Sequence, residues 1–249
     1  MRACLIVCLL LVSISAFAAP DYAREQRWAD EITPAIVVGD PVHLTQQNGH
    51  KFLGIYTEAA NAKMGVVVVH GIGIHPDWGM IGTLRQRLPD LGYATLSIQM
   101  PVLAADARAP AYAETLPDAV ERLQLAVHWL ADKGYKRIAL VSHSMGSRMA
   151  YGYMKRNPVE VDAWAALGMS AAHELHIPGL VFSGIEAPVL DLYGSKDLPQ
   201  VLAGAALRRA SLIANAASKQ VVIPGSDHFF AGHEAEMVKA VKDFLDGVK

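Results

Sequence analysis

The sequence predicts an α/β protein with a mostly parallel central sheet and helices on both faces. Three observations predict it. The run Gly65-Val66-Val67-Val68-Val69-His70 is β-branched and apolar throughout, as a strand buried on both faces must be. Downstream of it, strand-like and helix-like stretches alternate to the last residue. Hydrophobic content is 52% and charged content 18% over 249 residues, which suits one sizeable core and not a disordered chain. Two small domains would fit this length but are not required, so we expect residues 19–249 to form a single domain.

The elements follow in order. Arg2, the apolar run Cys4 to Ser15 and the small-x-small triplet Ala16-Phe17-Ala18 have the layout of a secretory signal, residues 1–18, cleaved after Ala18. The apolar run is too short to cross a bilayer as a helix. Asp21 to Thr33 has helical spacing. Ala35 to Val38, Val42 to Thr45 and Phe52 to Thr57 look like strands, the last two joined by a hairpin turn at Gln47-Asn48-Gly49-His50. After the Val66–Val69 strand come a helix over Met80 to Leu91, a strand over Tyr93 to Ile98 and a long helix over Glu114 to Lys133. A strand at Ile138 to Val141 leads into a helix over Met145 to Arg156. Strands at Val161 to Leu167, Pro188 to Tyr193 and Gln220 to Ile223 then alternate with helices over Leu198 to Ala217 and His233 to Val248. Gln99 to Ala113 and Ser170 to Ala187 are irregular. Both follow strands, at the edge where open parallel sheets bind ligands.

Both cysteines, Cys4 and Cys8, lie in the signal segment. The mature chain is therefore expected to carry no thiol, disulfide or Cys-ligated metal, which suits an oxidising compartment. Periplasmic or secreted bacterial localisation is the expectation, with no stable membrane anchor after cleavage. A net charge of -2 and the lack of a basic stripe give no reason to expect nucleic acid. The sequence does not identify a protein partner.

Chemistry concentrates at Ser142-His143-Ser144-Met145-Gly146-Ser147, between a strand and a helix. A serine at a sharp strand-to-helix turn has its hydroxyl pushed out of the sheet edge. Such a turn needs small residues two before and two after the serine. Here these are Ser142 and Gly146. A serine hydroxyl also needs a base within hydrogen-bond reach, and the base needs an orienting carboxylate. Asp197, in Gly194-Ser195-Lys196-Asp197 just past a strand, is the candidate acid. It could equally cap the following helix. Asp191 is a rival acid, though it lies within the strand. His228, on the loop after the last strand, is the candidate base, with His233 in reserve.

The Ser144 segment resembles the nucleophile elbow of the α/β-hydrolase superfamily, G-x-S-x-G, with Ser142 in place of the first glycine. The resemblance covers about Val66 to the C-terminus. It implies an α/β-hydrolase fold, and the chain order Ser144, Asp197, His228 agrees with that superfamily's order; the short segment between Leu167 and Pro188 leaves room for a small lid or none. It also implies an oxyanion hole from the Met145 amide and an amide after the Val66–Val69 strand, Ile72 or alternatively Gly73. Gly71, Gly73 and His143 are the expected substrate-binding neighbours. Within the superfamily, His70-Gly71-x-Gly73-x-His75-Pro76-Asp77-Trp78 resembles an exported bacterial α/β-hydrolase-like family known as DUF3530.

The expected function is hydrolysis of an ester-type bond through an acyl-enzyme on Ser144, without metal or cofactor. A carboxylic ester is favoured over a thioester or amide. The substrate would be a small or envelope-derived acyl compound. The alternative is a non-catalytic binding or cell-envelope assembly protein on the same fold. His173-Glu174-Leu175-His176 is not H-E-x-x-H, and Gly71-x-Gly73 lacks the remaining glycines of a dinucleotide loop, so zinc and phosphate sites are not expected. Lys136-Arg137 and Arg208-Arg209 read as short solvated charges.

Overall fold

The computed structural model describes residues 19–170, 182–212 and 215–248. The proposed signal segment and the His173-Glu174-Leu175-His176 stretch lie outside the described residues.

Eight strands form one sheet in the order β1-β2-β4-β3-β5-β6-β7-β8. β1 (Asp40–Thr45) and β2 (Lys51–Thr57) make an antiparallel hairpin, and β2 is antiparallel to β4 (Tyr93–Ile98). All remaining pairings are parallel: β4 with β3 (Met64–Val69), then β5 (Ile138–His143), β6 (Ala163–Leu167), β7 (Val189–Gly194) and β8 (Lys219–Ile223). Successive side chains of a strand face opposite sides. Val67 and Val69 of β3 therefore join one buried cluster with Leu140 and Trp164, while Val66 and Val68 join another with Ala139 and Leu190. The continuous valine run is the price of burial on both faces.

Helices α3 (Leu116–Asp132) and α4 (Met145–Met154) cover the first face. α2 (Gly79–Arg87) and α7 (Glu234–Leu245) cover the second. α1 (Tyr22–Ile32) buries Ile32 against Leu53 and Ile55 of β2 in a third, small cluster. α5 (Pro199–Ala203) and α6 (Ala205–Ser211) follow β7.

Three expected elements differ. Ala35 to Val38 is not a strand: Pro34 opens a 3-10 turn over Thr33–Ala35, Val37 is 90% exposed, and the Val38 carbonyl accepts from Arg85 Nη1 at 2.6 Å. The helix expected over Met80 to Leu91 stops at Arg87, because Pro89 cannot donate to the helical ladder; a 3-10 turn over Pro89–Leu91 follows. The helix expected over Leu198 to Ala217 is split into α5 and α6 at Gly204. Among the described residues no helix is long and apolar enough to cross a membrane.

Candidate active site

The parallel strands β3, β5, β6 and β7 all end at one edge of the sheet, and the candidate residues gather there. Ser144 sits between β5 and α4 with φ 55° and ψ -120°. A non-glycine residue rarely adopts this backbone, and holding it there stores strain. The surroundings enforce it: the Ser144 N–H donates to the Leu167 carbonyl at 2.8 Å, and its own carbonyl accepts from the Ser147 N–H at 3.0 Å. Gly146 cannot carry a side chain, because a Cβ there would lie 2.4 Å from the His70 carbonyl oxygen and 2.8 Å from that of Val69. Ser142 fits in place of glycine because its hydroxyl has a polar niche. It accepts from Trp164 Nε1–H at 2.8 Å and donates to Ser147 Oγ at 3.0 Å.

His228 Nε2 lies 3.0 Å from Ser144 Oγ, and His228 Nδ1 lies 2.6 Å from Asp197 Oδ1. The carboxylate fixes the tautomer: Nδ1–H donates to Asp197, leaving Nε2 to accept the serine proton. Asp197 is held in turn by the Leu198 N–H at 2.7 Å and the Gly194 N–H at 3.4 Å. Asp197 does not cap the next helix: the N-cap of α5 is Leu198, and no side chain caps it. Asp191 is elsewhere. It is fully buried and paired with Arg208, whose Nε lies 3.0 and 2.9 Å from its two oxygens. Arg208 is therefore a buried partner of the sheet and not a solvated charge, whereas Arg209 is exposed. His233 stands before α7, with Nδ1 3.7 Å from Glu236, and does not touch Ser144.

Two further histidines shape the site without entering it. His143 is buried, and its Nε2–H donates to the His228 carbonyl at 2.9 Å, fixing the loop that carries His228. His70 is buried too. Its Nδ1–H donates to the Gly71 carbonyl at 2.8 Å, while Nε2 accepts from the Met100 N–H at 2.9 Å. Burial pushes both down to about 3, so both rings stay neutral. His70 thereby ties the loop bearing Ile72 to the segment after β4. Gly71 brings that loop against Ser144: a Cβ on it would stand 2.9 Å from Ser144 Cβ.

Beside this line is a cleft of about 250 Å³. Ile72, Met145, Ser144 and His228 line it, so the two residues expected to supply the oxyanion-hole amides border the same cleft as Ser144. Gly71, Gly73 and His143 are not among its lining residues. Gly71 and His143 are buried, and Gly73 faces solvent at a turn with φ 74°. Sequence reasoning missed Arg148, Gly168, Val201 and Phe229, which also line the cleft. Gly168 carried a signal, standing directly after β6 at the ligand edge. With φ 57° it lets the His228 ring approach: a Cβ there would lie 3.0 Å from Nδ1. Phe229 packs on Trp78 with ring centroids 5.1 Å apart, pairing the loop after β3 with the loop after β8. Among the described residues no cluster of three His, Cys, Asp or Glu side chains could hold a metal ion.

This arrangement is the α/β-hydrolase fold, and solved structures agree. The chain superposes on Est1E from Butyrivibrio proteoclasticus with a TM-score of 0.63 at 15% identity, covering 84% of this chain and 98% of that one. It superposes on dienelactone hydrolase from Anabaena variabilis ATCC 29413 with a TM-score of 0.66 at 20% identity, covering 84% and 98%. An α/β serine hydrolase without lid, XC6422 from Xanthomonas campestris, gives 0.64 at 14% identity, covering 85% and 95%. Identities this low establish the fold alone. More narrowly, the family described as "Protein of unknown function (DUF3530)" matches residues 2–121 of this chain. That match ends before Ser144. No curated protein matches the sequence.

Proposed function

We propose that the protein is an exported serine hydrolase that cleaves an ester-type bond through an acyl-enzyme on Ser144. The observation that carries this reading is the hydrogen-bonded line Ser144–His228–Asp197, at 3.0 and 2.6 Å. Ser144 Oγ attacks the acyl carbonyl as His228 Nε2 takes its proton. Asp197 stabilises the resulting imidazolium. The amides of Met145 and Ile72 bind the oxyanion, each such donor contributing about 10²–10³ in rate. His228 then protonates the leaving group. In the second half it activates a water that releases the acid. These steps need no metal or cofactor. A carboxylic ester is the favoured substrate, with thioesters and amides behind it. We place the mature chain in the bacterial periplasm or medium, cleaved after Ala18 and free of a membrane anchor.

The test is labelling with a fluorophosphonate, followed by mass spectrometry of the modified peptide. The expected result is label on Ser144, lost in Ser144→Ala and in His228→Ala. A folded protein that takes no label would replace this reading with a binding or envelope-assembly role.

A further inference from the structure

Each of the two residues aligned with Ser144 is followed in sequence by an exposed apolar one. Asp197 is 4% exposed and Leu198 is 39% exposed; His228 is 7% exposed and Phe229 is 40% exposed. Leu198 and Phe229 both line the cleft, and Gln200 is the other exposed residue of its described lining. Arg148, also in the lining, is buried, which keeps its charge back from the mouth. The apolar surface continues past the cleft. The Leu202 N–H donates to the Leu198 carbonyl at 3.1 Å, so Leu202 stands one turn further along α5, about 6 Å away along the helix axis. Residues four apart share a helix face, and Leu202 is again 39% exposed. Val201, between them, is buried and lines the cleft. Of the seven large hydrophobic residues exposed among the described residues, Leu198, Leu202 and Phe229 thus gather at one mouth. Single exposed leucines are ordinary, but an exposed apolar surface that continues a pocket marks a binding groove.

We propose that the substrate is an ester with a linear hydrocarbon chain longer than a butyl group, and that the far part of this chain lies on Leu198 and Leu202. This rests on the serine hydrolase reading and names the substrate class within it. The chain belongs to either the acyl or the alcohol half of the ester, since both halves meet at the carbonyl that Ser144 attacks. Each methylene covered by the two leucines adds to binding. That binding energy, gained away from the reacting atoms, holds the carbonyl over Ser144 Oγ.

The experiment measures kcat/KM for two ester series, each kept below its aggregation concentration. The p-nitrophenyl esters of acetate, butyrate, hexanoate and octanoate carry the chain in the acyl half. Ethyl, butyl, hexyl and octyl acetate carry it in the alcohol half. A fully buried CH₂ contributes about fourfold, and one half-covered in an open groove about twofold. In one of the two series kcat/KM should therefore rise about sixteenfold between the four-carbon and the eight-carbon chain, chiefly through KM. Leu198→Gln combined with Leu202→Gln should cut that ratio to about fourfold or less. Leu207→Gln, on α6 and outside the cleft lining, should leave it unchanged. Should the double variant fail to fold, Leu202→Gln alone should still lower the ratio. Turnover with a ratio of one or less in both series would overturn the chain inference and leave the hydrolase reading standing. A full rise that survives in the folded double variant would overturn Leu198 and Leu202 as its seat. Ser144 labelled by fluorophosphonate, with no turnover in either series, would overturn the chain inference alone. No turnover and no label would remove both.

Discussion

Asp191 and Asp197 flank the end of the same strand, and their substitutions should fail in opposite ways. Asp191→Ala removes the partner of Arg208, and both side chains are 0% exposed. It also strands Gln220 Nε2, which donates to Asp191 Oδ2 at 2.7 Å. Breaking a buried pair from one side costs about 3–5 kcal/mol, because the remaining charge is left in the core. For a chain of this size each kcal/mol lowers Tm by about 2–4 °C, so the expected fall is about 6–20 °C. Replacing both members by apolar side chains, Asp191→Leu with Arg208→Met, should recover much of that loss. Below its unfolding temperature Asp191→Ala should still take fluorophosphonate label and hydrolyse p-nitrophenyl acetate, because Asp191 does not touch His228. Asp197→Ala should do the reverse. Its kcat should fall by about 10⁴, the cost of losing the histidine tautomer. Its Tm should fall less, by the desolvation of two orphaned amides. Circular dichroism melts and ester turnover on the same samples decide the matter. A folded Asp191→Ala without activity, beside an active Asp197→Ala, would refute the acid assignment.

Other perturbations have equally definite outcomes. Gly146→Ala pushes a methyl into two backbone carbonyls; it should cost about 1–3 kcal/mol and slow fluorophosphonate labelling of Ser144, read by melts and labelling rates. His70 and His143 have folded values of about 3 against about 6.5 unfolded, so the unfolded chain binds more protons between those limits. Their stabilisation is complete above pH 6.5 and is lost as pH falls toward 3, at about 1.4 kcal/mol per pH unit for each ring. Urea unfolding at pH 7 and pH 5 should show the drop, and His143→Gln should reduce it. Glu25→Ala leaves Arg122 buried without its carboxylate and releases the Val102 amide; a fall of about 3–5 kcal/mol in urea unfolding is expected.

The elements written most plainly in the sequence were those whose residues answer to one demand. β3 must be apolar on both faces, and its valine run says so. The elbow was legible because a tight turn restricts the residues around Ser144. Asp197 and His228 were legible because they follow strands. Arg148 and Arg208 were not. A buried arginine has the same letter as a solvated one, and only tertiary packing supplies the carboxylate or the cleft that gives it meaning. The misread strand at Ala35 to Val38 failed for a related reason. Its β-branched residues fit a strand, but Pro34 and the Arg85 contact with the Val38 carbonyl decided otherwise. His143 was expected at the substrate, yet it is buried and holds the His228 carbonyl.

The Glu25 carboxylate of α1 has a consequence for the order in which the chain settles. It is 3% exposed, and it meets His50 at 3.0 Å, the Val102 amide at 3.2 Å and Arg122 at 2.9 Å. All three partners lie downstream, and Arg122 belongs to α3. A chain that grows from its N-terminus makes α1 first but cannot bury this carboxylate until α3 exists to receive it. Closing so long a loop is slow relative to the local hairpin of β1 and β2. The first helix to be made is thus among the last to be fixed. Until it docks, Val102 and Leu103 lack the contacts that α1 gives them, and the segment that bonds His70 is unbraced. The reactive edge would acquire its final shape only when the two ends of this long loop have met.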